Sequence, residues 1–199
     1  MRNIRVLTAA AALAMLGGSS LGAITFSNFQ VSGSLVGGSL PNAIITTGLD
    51  DVDFSFIFPA ATVGDPVHPR RAGNIIITFD VDSDTPITTD VLSILGAVSG
   101  SGFIIFNEVV EDRRPGFEGI IASTSIIINA NNPPPVGQNI DFATPTTSFK
   151  VKKTIFMSAA DTPGDDLAQI GLIEQKMVPT PGAMALAGLA GVLAFRRRR

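Results

Sequence analysis

The chain has 199 residues and no cysteine, so it can form one hydrophobic core but no disulfide, thiol nucleophile or thiolate metal site. Six of its 14 lysines and arginines lie at the two ends, whereas all 17 acidic residues lie between them. The acidic body argues against nucleic-acid binding, and 13 Phe without Trp or Tyr disfavour a sugar-stacking surface.

Residues 1–23 have the pattern of a secretory signal peptide. Arg2 and Arg5 form a basic start, residues 6–16 are apolar, and residues 17–23 are small or polar. The apolar run is too short for a bilayer, which takes about 20 residues. We therefore predict export of the chain and removal of this segment by signal peptidase.

Residues 24–176 predict an all-β domain, an antiparallel β-sandwich with jelly-roll-like character. Short runs rich in β-branched residues and Phe recur between Gly, Pro, Asn and Asp, as is typical of sandwiches. Within residues 24–36 the apolar positions change phase, which predicts a bulge or two short strands. Only residues 88–98 and 159–173 leave room for short helices. The other predicted strands fall in residues 51–59, 74–82, 103–111, 119–129, 148–159 and 167–176, with a hairpin loop at 112–118.

The run FDVDSDTPITTD contains the candidate metal ligands Asp80, Asp82 and Asp84. Alternating carboxylates at the end of a strand can converge on a hard cation such as Ca²⁺. The run departs from the EF-hand loop, because Thr85 stands where Gly is needed and Val91 where Glu belongs. The alternative interpretation is a solvated edge that keeps an exposed strand from pairing. Apart from this calcium hypothesis, we predict no cofactor.

The sequence predicts no catalytic residue among the other polar groups. His68, the only histidine, lies in a Pro-rich segment, and the chain has no G-x-S-x-G motif. Two arginine doublets are expected to pair with acidic residues across loops or to be solvated, and the alternative is that they bind an anionic polysaccharide. A glycosidase-like carboxylate pair would depend on geometry that the sequence does not give. The arginine doublets are at 70–71 and 113–114, and the carboxylate pair is Glu108 and Glu118. Asp50, Asp51 and Asp53 form a second acidic cluster.

Residues 177–199 combine a proline motif, an apolar run and an arginine cluster. The motif is VPTPG at 178–182, the apolar run is 183–195, and four arginines end the chain. This segment resembles the PEP-CTERM sorting signal of exported bacterial proteins, with Thr180 in place of the usual Glu. The resemblance implies processing by a membrane-embedded exosortase. The expected fold thus has a hydrophobic helix at each end, and the signal residues are Val178, Pro179, Pro181, Gly182, Arg196, Arg197, Arg198 and Arg199.

Together these patterns predict an exported, non-enzymatic surface or matrix protein. The resemblance implies transient or stable membrane attachment through the C-terminal segment and an association with exopolysaccharide. The alternative is a secreted carbohydrate- or calcium-dependent binding module, and a secreted hydrolase is the third reading.

Overall fold

The computed structural model describes residues 23–35, 43–57, 60–64, 70–159 and 165–180. These residues form antiparallel β-structure, which confirms the predicted all-β class. Residues 88–98 lie in a strand, and so do residues 167–173 of the segment 159–173; the described residues of both segments contain no helix, so that expectation is wrong. The strands are β1 (Ile24–Ser32), β2 (Ala43–Thr47), β3 (Asp51–Phe56), β4 (Thr62–Val63), β5 (Ala72–Ser99), β6 (Phe103–Asp112), β7 (Gly119–Asn129), β8 (Val136–Ser158) and β9 (Leu167–Pro179).

The two expected terminal helices and most of the sorting-signal residues lie outside the described residues. Among the residues that are described, no helix is long and apolar enough to cross a membrane. His68 also falls in an undescribed segment.

Strands β5 and β8 are long enough to belong to two sheets. Residues 72–82 of β5 pair with β1 and with residues 148–158 of β8, and β6 and β7 extend this first sheet. Residues 87–99 of β5 pair with β9 and with residues 136–146 of β8. The second sheet continues from β9 through β3 to β2, and β4 also pairs with β9.

The two sheets pack face to face around a cluster of phenylalanines. Phe54 of the second sheet and Phe79 of the first lie on strands that do not pair, yet their ring centroids are 5.5 Å apart. Phe29 contacts both, at 6.2 Å from Phe54 and 5.7 Å from Phe79. Phe54 and Phe79 have no exposed surface. The inner faces of the sandwich therefore meet through these rings.

A bulge in β1 explains the change of phase seen in the sequence. The register against β5 shifts between Ser27 and Gln30, and Asn28 has φ 54°. The extra residue brings both Phe26 and Phe29 onto Phe79, although their odd spacing would place them on opposite faces of a regular strand. The predicted bulge is confirmed, and so is the hairpin joining β6 and β7.

The last strand runs past the expected end of the domain. Met177 is fully buried and lies opposite Asp90, and Val178 and Pro179 lie opposite Thr89 and Ile87. The first residues of the segment 177–199 are thus part of the sheet.

Replacing Phe79 with Ala should lower the free energy of unfolding by about 3–5 kcal/mol, because the cavity would lie where three other rings meet. Urea unfolding of both proteins measures the difference. As a control, Phe117→Ala removes a ring that is 64% exposed and should cost less than about 1 kcal/mol. Equal losses in the two variants would contradict this packing.

Candidate functional site

The predicted calcium ligands lie on one face of β5, but the structure gives two of them protein partners. Asp80 accepts a hydrogen bond from Asn28 Nδ2 at 2.6 Å and forms an ion pair with Arg113 at 3.1 Å. Asp82 accepts a hydrogen bond from Ser148 Oγ at 2.6 Å, while Asp84 is exposed. In the described part of the chain, no group of three or more His, Cys, Asp or Glu side chains is arranged to hold a metal.

The arginine doublet at 113–114 pairs with acidic residues, as expected. Arg114 forms hydrogen bonds with both carboxylate oxygens of Asp112, the shortest 2.6 Å long. These hydrogen bonds are the main reason that the pKa of Asp112 lies below its usual value. The doublet therefore fastens the β6–β7 hairpin.

The glycosidase-like pair does not form a common cleft. Glu108 is fully buried between the sheets, whereas Glu118 is exposed in the hairpin loop and accepts a hydrogen bond from the Gly116 backbone N–H at 2.9 Å. A carboxylate buried in the core and one in an exposed loop cannot flank one glycosidic bond.

The second acidic cluster forms part of a groove on the outer face of the second sheet, which we call the outer groove. Asp53 of β3 lies opposite Glu174 of β9, and Glu174 lies opposite Ser93 of β5. A neighbouring row places Asp51 opposite Lys176. The groove has a volume of about 450 Å³ and is lined by Asp50, Asp51, Asp53, Val91, Ser93, Glu174, Gln175 and Lys176.

Negative charge dominates the outer groove. Lys176 is its only cation among the described lining residues, and its Nζ lies 3.2 Å from Asp50 Oδ2. Burial raises the pKa of Asp53, and the charges of Asp51 and Glu174 raise it further. A groove with this charge repels anions and offers hydrogen-bond acceptors to neutral hydroxyl groups or to cations.

Sequence reasoning found only half of the outer groove. Asp50, Asp51 and Asp53 stand together in the chain, whereas Ser93 and Glu174 come from strands far away along it. Alternation within residues 167–176 identifies Glu174 as facing outward, but only the register of β3 with β9 places it beside Asp53.

No family model and no curated protein matches the chain. Among solved structures it is similar to TmCBM61 in complex with β-1,4-galactotriose, at 11% identity and a TM-score of 0.33, covering 76% of this chain and 88% of that one. A structure from a study of carbohydrate-binding modules of the β-sandwich superfamily is 12% identical, with a TM-score of 0.35. The match covers 80% of this chain but only 57% of that one. The family 11 carbohydrate-binding module from Clostridium thermocellum, in complex with a β-1,3-1,4-mixed-linked tetrasaccharide, is 12% identical. Its TM-score is 0.29, with coverage of 82% and 92%.

We expect Asp53→Asn to stabilise the protein at neutral pH. Because the pKa of Asp53 is raised in the folded state, the free energy of unfolding falls as pH rises from the unfolded value, about 3.9, through the folded one. The Asn variant does not lose stability in this way. Its free energy of unfolding should therefore exceed that of the wild type at pH 7 and equal it at pH 3. Urea midpoints at the two pH values measure it.

Asp84→Asn is the matched control, because Asp84 is exposed outside the groove. An Asp53 variant that is equally destabilised at both pH values would contradict the electrostatic description of the groove.

Proposed function

We propose that the chain is an exported, non-enzymatic binding module and that its outer groove holds a neutral, hydroxyl-rich polysaccharide. The observation that carries this proposal is the registered row Asp53–Glu174–Ser93, which crosses three strands on an open sheet face. Adjacent strands are about 4.8 Å apart, so hydrogen-bonding groups repeat along a line on which an extended chain can lie.

The chemistry of the row suits sugar hydroxyl groups. A carboxylate accepts two or more hydrogen bonds, and bonds to a charged acceptor are about twice as strong as neutral ones. Asp53 and Glu174 would accept hydroxyl protons, and Ser93 could donate or accept. The surplus of negative charge disfavours uronic-acid or sulfated chains, so the proposed partner is a neutral exopolysaccharide.

Binding rather than hydrolysis fits the shape of the groove. It lies on the outer face of a sheet, and in the described part of the chain no element covers it. Hydrolytic sites gain much of their rate from enclosing the reacting bond away from bulk water. The proposal therefore gives Asp53 and Glu174 a binding role.

Export and sorting complete the proposal. Residues 1–23 would direct secretion, and an exosortase-like enzyme would recognise residues 177–199. The end of β9 bears on where that enzyme can act. Thr180 donates from its backbone N–H and its hydroxyl to the Pro86 carbonyl oxygen, each at 2.8 Å. Because processing enzymes need an accessible extended chain, we place cleavage beyond Thr180.

Calorimetric titration of the full chain with soluble galactan, mixed-linkage β-glucan and xylan tests the groove. We expect at least one of these to bind, and Asp53→Asn combined with Glu174→Gln to weaken it by about 10-fold or more, because two charge-assisted hydrogen bonds are replaced by neutral ones. Alginate, an acidic polysaccharide, should not bind.

Glu111→Gln is the control, because Glu111 is an exposed carboxylate of the first sheet and lies outside the outer groove. Failure of all three neutral polysaccharides to bind, or equal affinities of the groove variant and wild type, would overturn the proposal.

Pro181→Ala tests sorting separately. We expect an uncleaved, membrane-bound precursor to accumulate in the native host, because the change removes one of the two prolines of the motif. Pro145→Ala, an exposed position in β8, should be processed normally. Membrane fractionation and the mass of the mature chain decide the matter, and identical maturation of wild type and Pro181→Ala would refute recognition of the motif.

A further inference from the structure

Four polar side chains meet in the core between the two sheets, and none of them belongs to the row that is proposed to bind polysaccharide. Asp90, Glu108, Lys153 and Gln175 each have no exposed surface. Glu108 of β6 and Lys153 of β8 lie directly opposite each other in the first sheet, and Lys153 Nζ contacts Glu108 Oε2. Gln175, from the second sheet, donates through Nε2 to Glu108 Oε1 at 2.9 Å and also to Asp90 Oδ2.

The surroundings of this core quartet are apolar. Lys153 Nζ lies 5.9 Å from the ring centroid of Phe79 and 5.5 Å from that of Phe106. Taking two charges out of water costs several kcal/mol per ion, and their attraction only partly offsets that cost. A pair of neutral groups at the same place would avoid the penalty.

We propose that Lys153 and Glu108 condense into an intramolecular amide bond that joins β6 to β8 after the protein has folded. The arrangement holds the parts that such a reaction needs. The amine is a nucleophile in contact with a carboxyl group, and the other oxygen of that carboxyl group accepts a hydrogen bond from an amide N–H.

The reaction begins with transfer of one proton from the Lys153 ammonium to the Glu108 carboxylate, which leaves an amine and a carboxylic acid. The nitrogen lone pair then attacks Glu108 Cδ to form the C–N bond, and the carbonyl electrons move to Oε1, where the Gln175 N–H stabilises them. The intermediate loses a proton from nitrogen, the C–Oε2 bond breaks, and one water leaves. No group is oxidised or reduced.

Asp90 lies beside the reacting carboxyl group, where it can carry the proton in the last step, because Gln175 Nε2 donates to both Asp90 Oδ2 and Glu108 Oε1. Burial, followed by the charge of Glu108 and a hydrogen bond with it, raises the pKa of Asp90 well above its usual value. A protonated Asp90 can give its proton to the departing hydroxyl group and recover one from the nitrogen. Asp90 therefore acts as general acid and is unchanged at the end.

Proximity favours the condensation. Effective concentrations of well-placed intramolecular partners reach about 10⁵–10⁸ M, which lowers the barrier to attack of the Lys153 amine on the Glu108 carboxyl group. Neither side chain has exposed surface, so bulk water has little access to the amide once it has formed.

A tryptic digest of the full wild-type chain tests the bond, analysed by mass spectrometry under denaturing conditions. The expected product is a branched peptide that contains residues 72–113 and 153–176, with a mass about 18 Da below the sum of its parts. Trypsin should not cut after Lys153, because an acylated lysine carries no charge. Fragmentation should locate the branch at Glu108.

Several outcomes would overturn the proposal. Cleavage after Lys153 with an unlinked peptide 72–113 in the wild type would show an ion pair only. A branch at Asp90, or loss of ammonia in a loop between Lys153 and Gln175, would show that Glu108 is not the acceptor. The digest does not depend on how the ends of the chain are processed or on whether polysaccharide binds.

Two variants sharpen the test. Lys153→Arg keeps the positive charge but lacks the amine, so its digest should contain only unlinked peptides. Asp90→Asn keeps the amine and the carboxyl group, and we expect the linked fraction to grow about 100-fold more slowly after refolding. Linkage at the wild-type rate in Asp90→Asn would remove Asp90 from the mechanism, and a linked Lys153→Arg digest would exclude Lys153.

Discussion

The structure depends on the passage of β5 and β8 from one sheet to the other. Their mutual pairing is interrupted at the same level in both strands, between Asp82 and Ile87 of β5, where the partner shifts from Ser148 to Thr146 of β8. Side chains satisfy the backbone there, since Ser83 Oγ donates to the Thr85 carbonyl oxygen at 2.8 Å. Because β5 and β8 stay paired as they pass from one sheet to the other, this pair connects the two sheets. The remaining strands extend two sheets that already face each other.

Two kinds of contact hold these faces together. The phenylalanine cluster around Phe79 buries apolar surface and makes stacked or tilted ring contacts. These contacts stabilise the packing of the two sheets, but they do not require one particular partner for each ring. The core quartet is directional, because Gln175 of the second sheet must reach Glu108 of the first. A buried polar group that loses its partner is costly, so this contact selects one alignment of the sheets among those that the rings would tolerate. A covalent link between Glu108 and Lys153 would fix β6 to β8 in the first sheet, at the residue that Gln175 of the second sheet contacts.

The acidic residues of the body serve two different purposes. Asp80 and Asp82 contact Asn28 of β1, Arg113 of the β6–β7 hairpin and Ser148 of β8, which joins these elements to β5. Asp112 binds Arg114 within the hairpin. In the outer groove, by contrast, Asp53 lies among like charges, which raise its pKa. Carboxylates that repel one another on an exposed face weaken the fold slightly, and such a cost is typical of a surface shaped for a ligand.

The sequence by itself determined the all-β class, the bulge in β1 and the β6–β7 hairpin, because alternation and turn residues act over a few positions. It left residues 88–98 and 159–173 open to helix, since apolar runs without clear period fit both structures. Pairing with β8 and β9 made residues 88–98 a strand, and pairing with β3 and β5 did the same for residues 167–173. Only the tertiary structure separated Glu108 from Glu118, turned Asp80 and Asp82 toward protein partners, and set Glu174 beside Asp53. Each of these depends on register between strands distant in the chain, and register is fixed by the packing of whole faces, which no local pattern records.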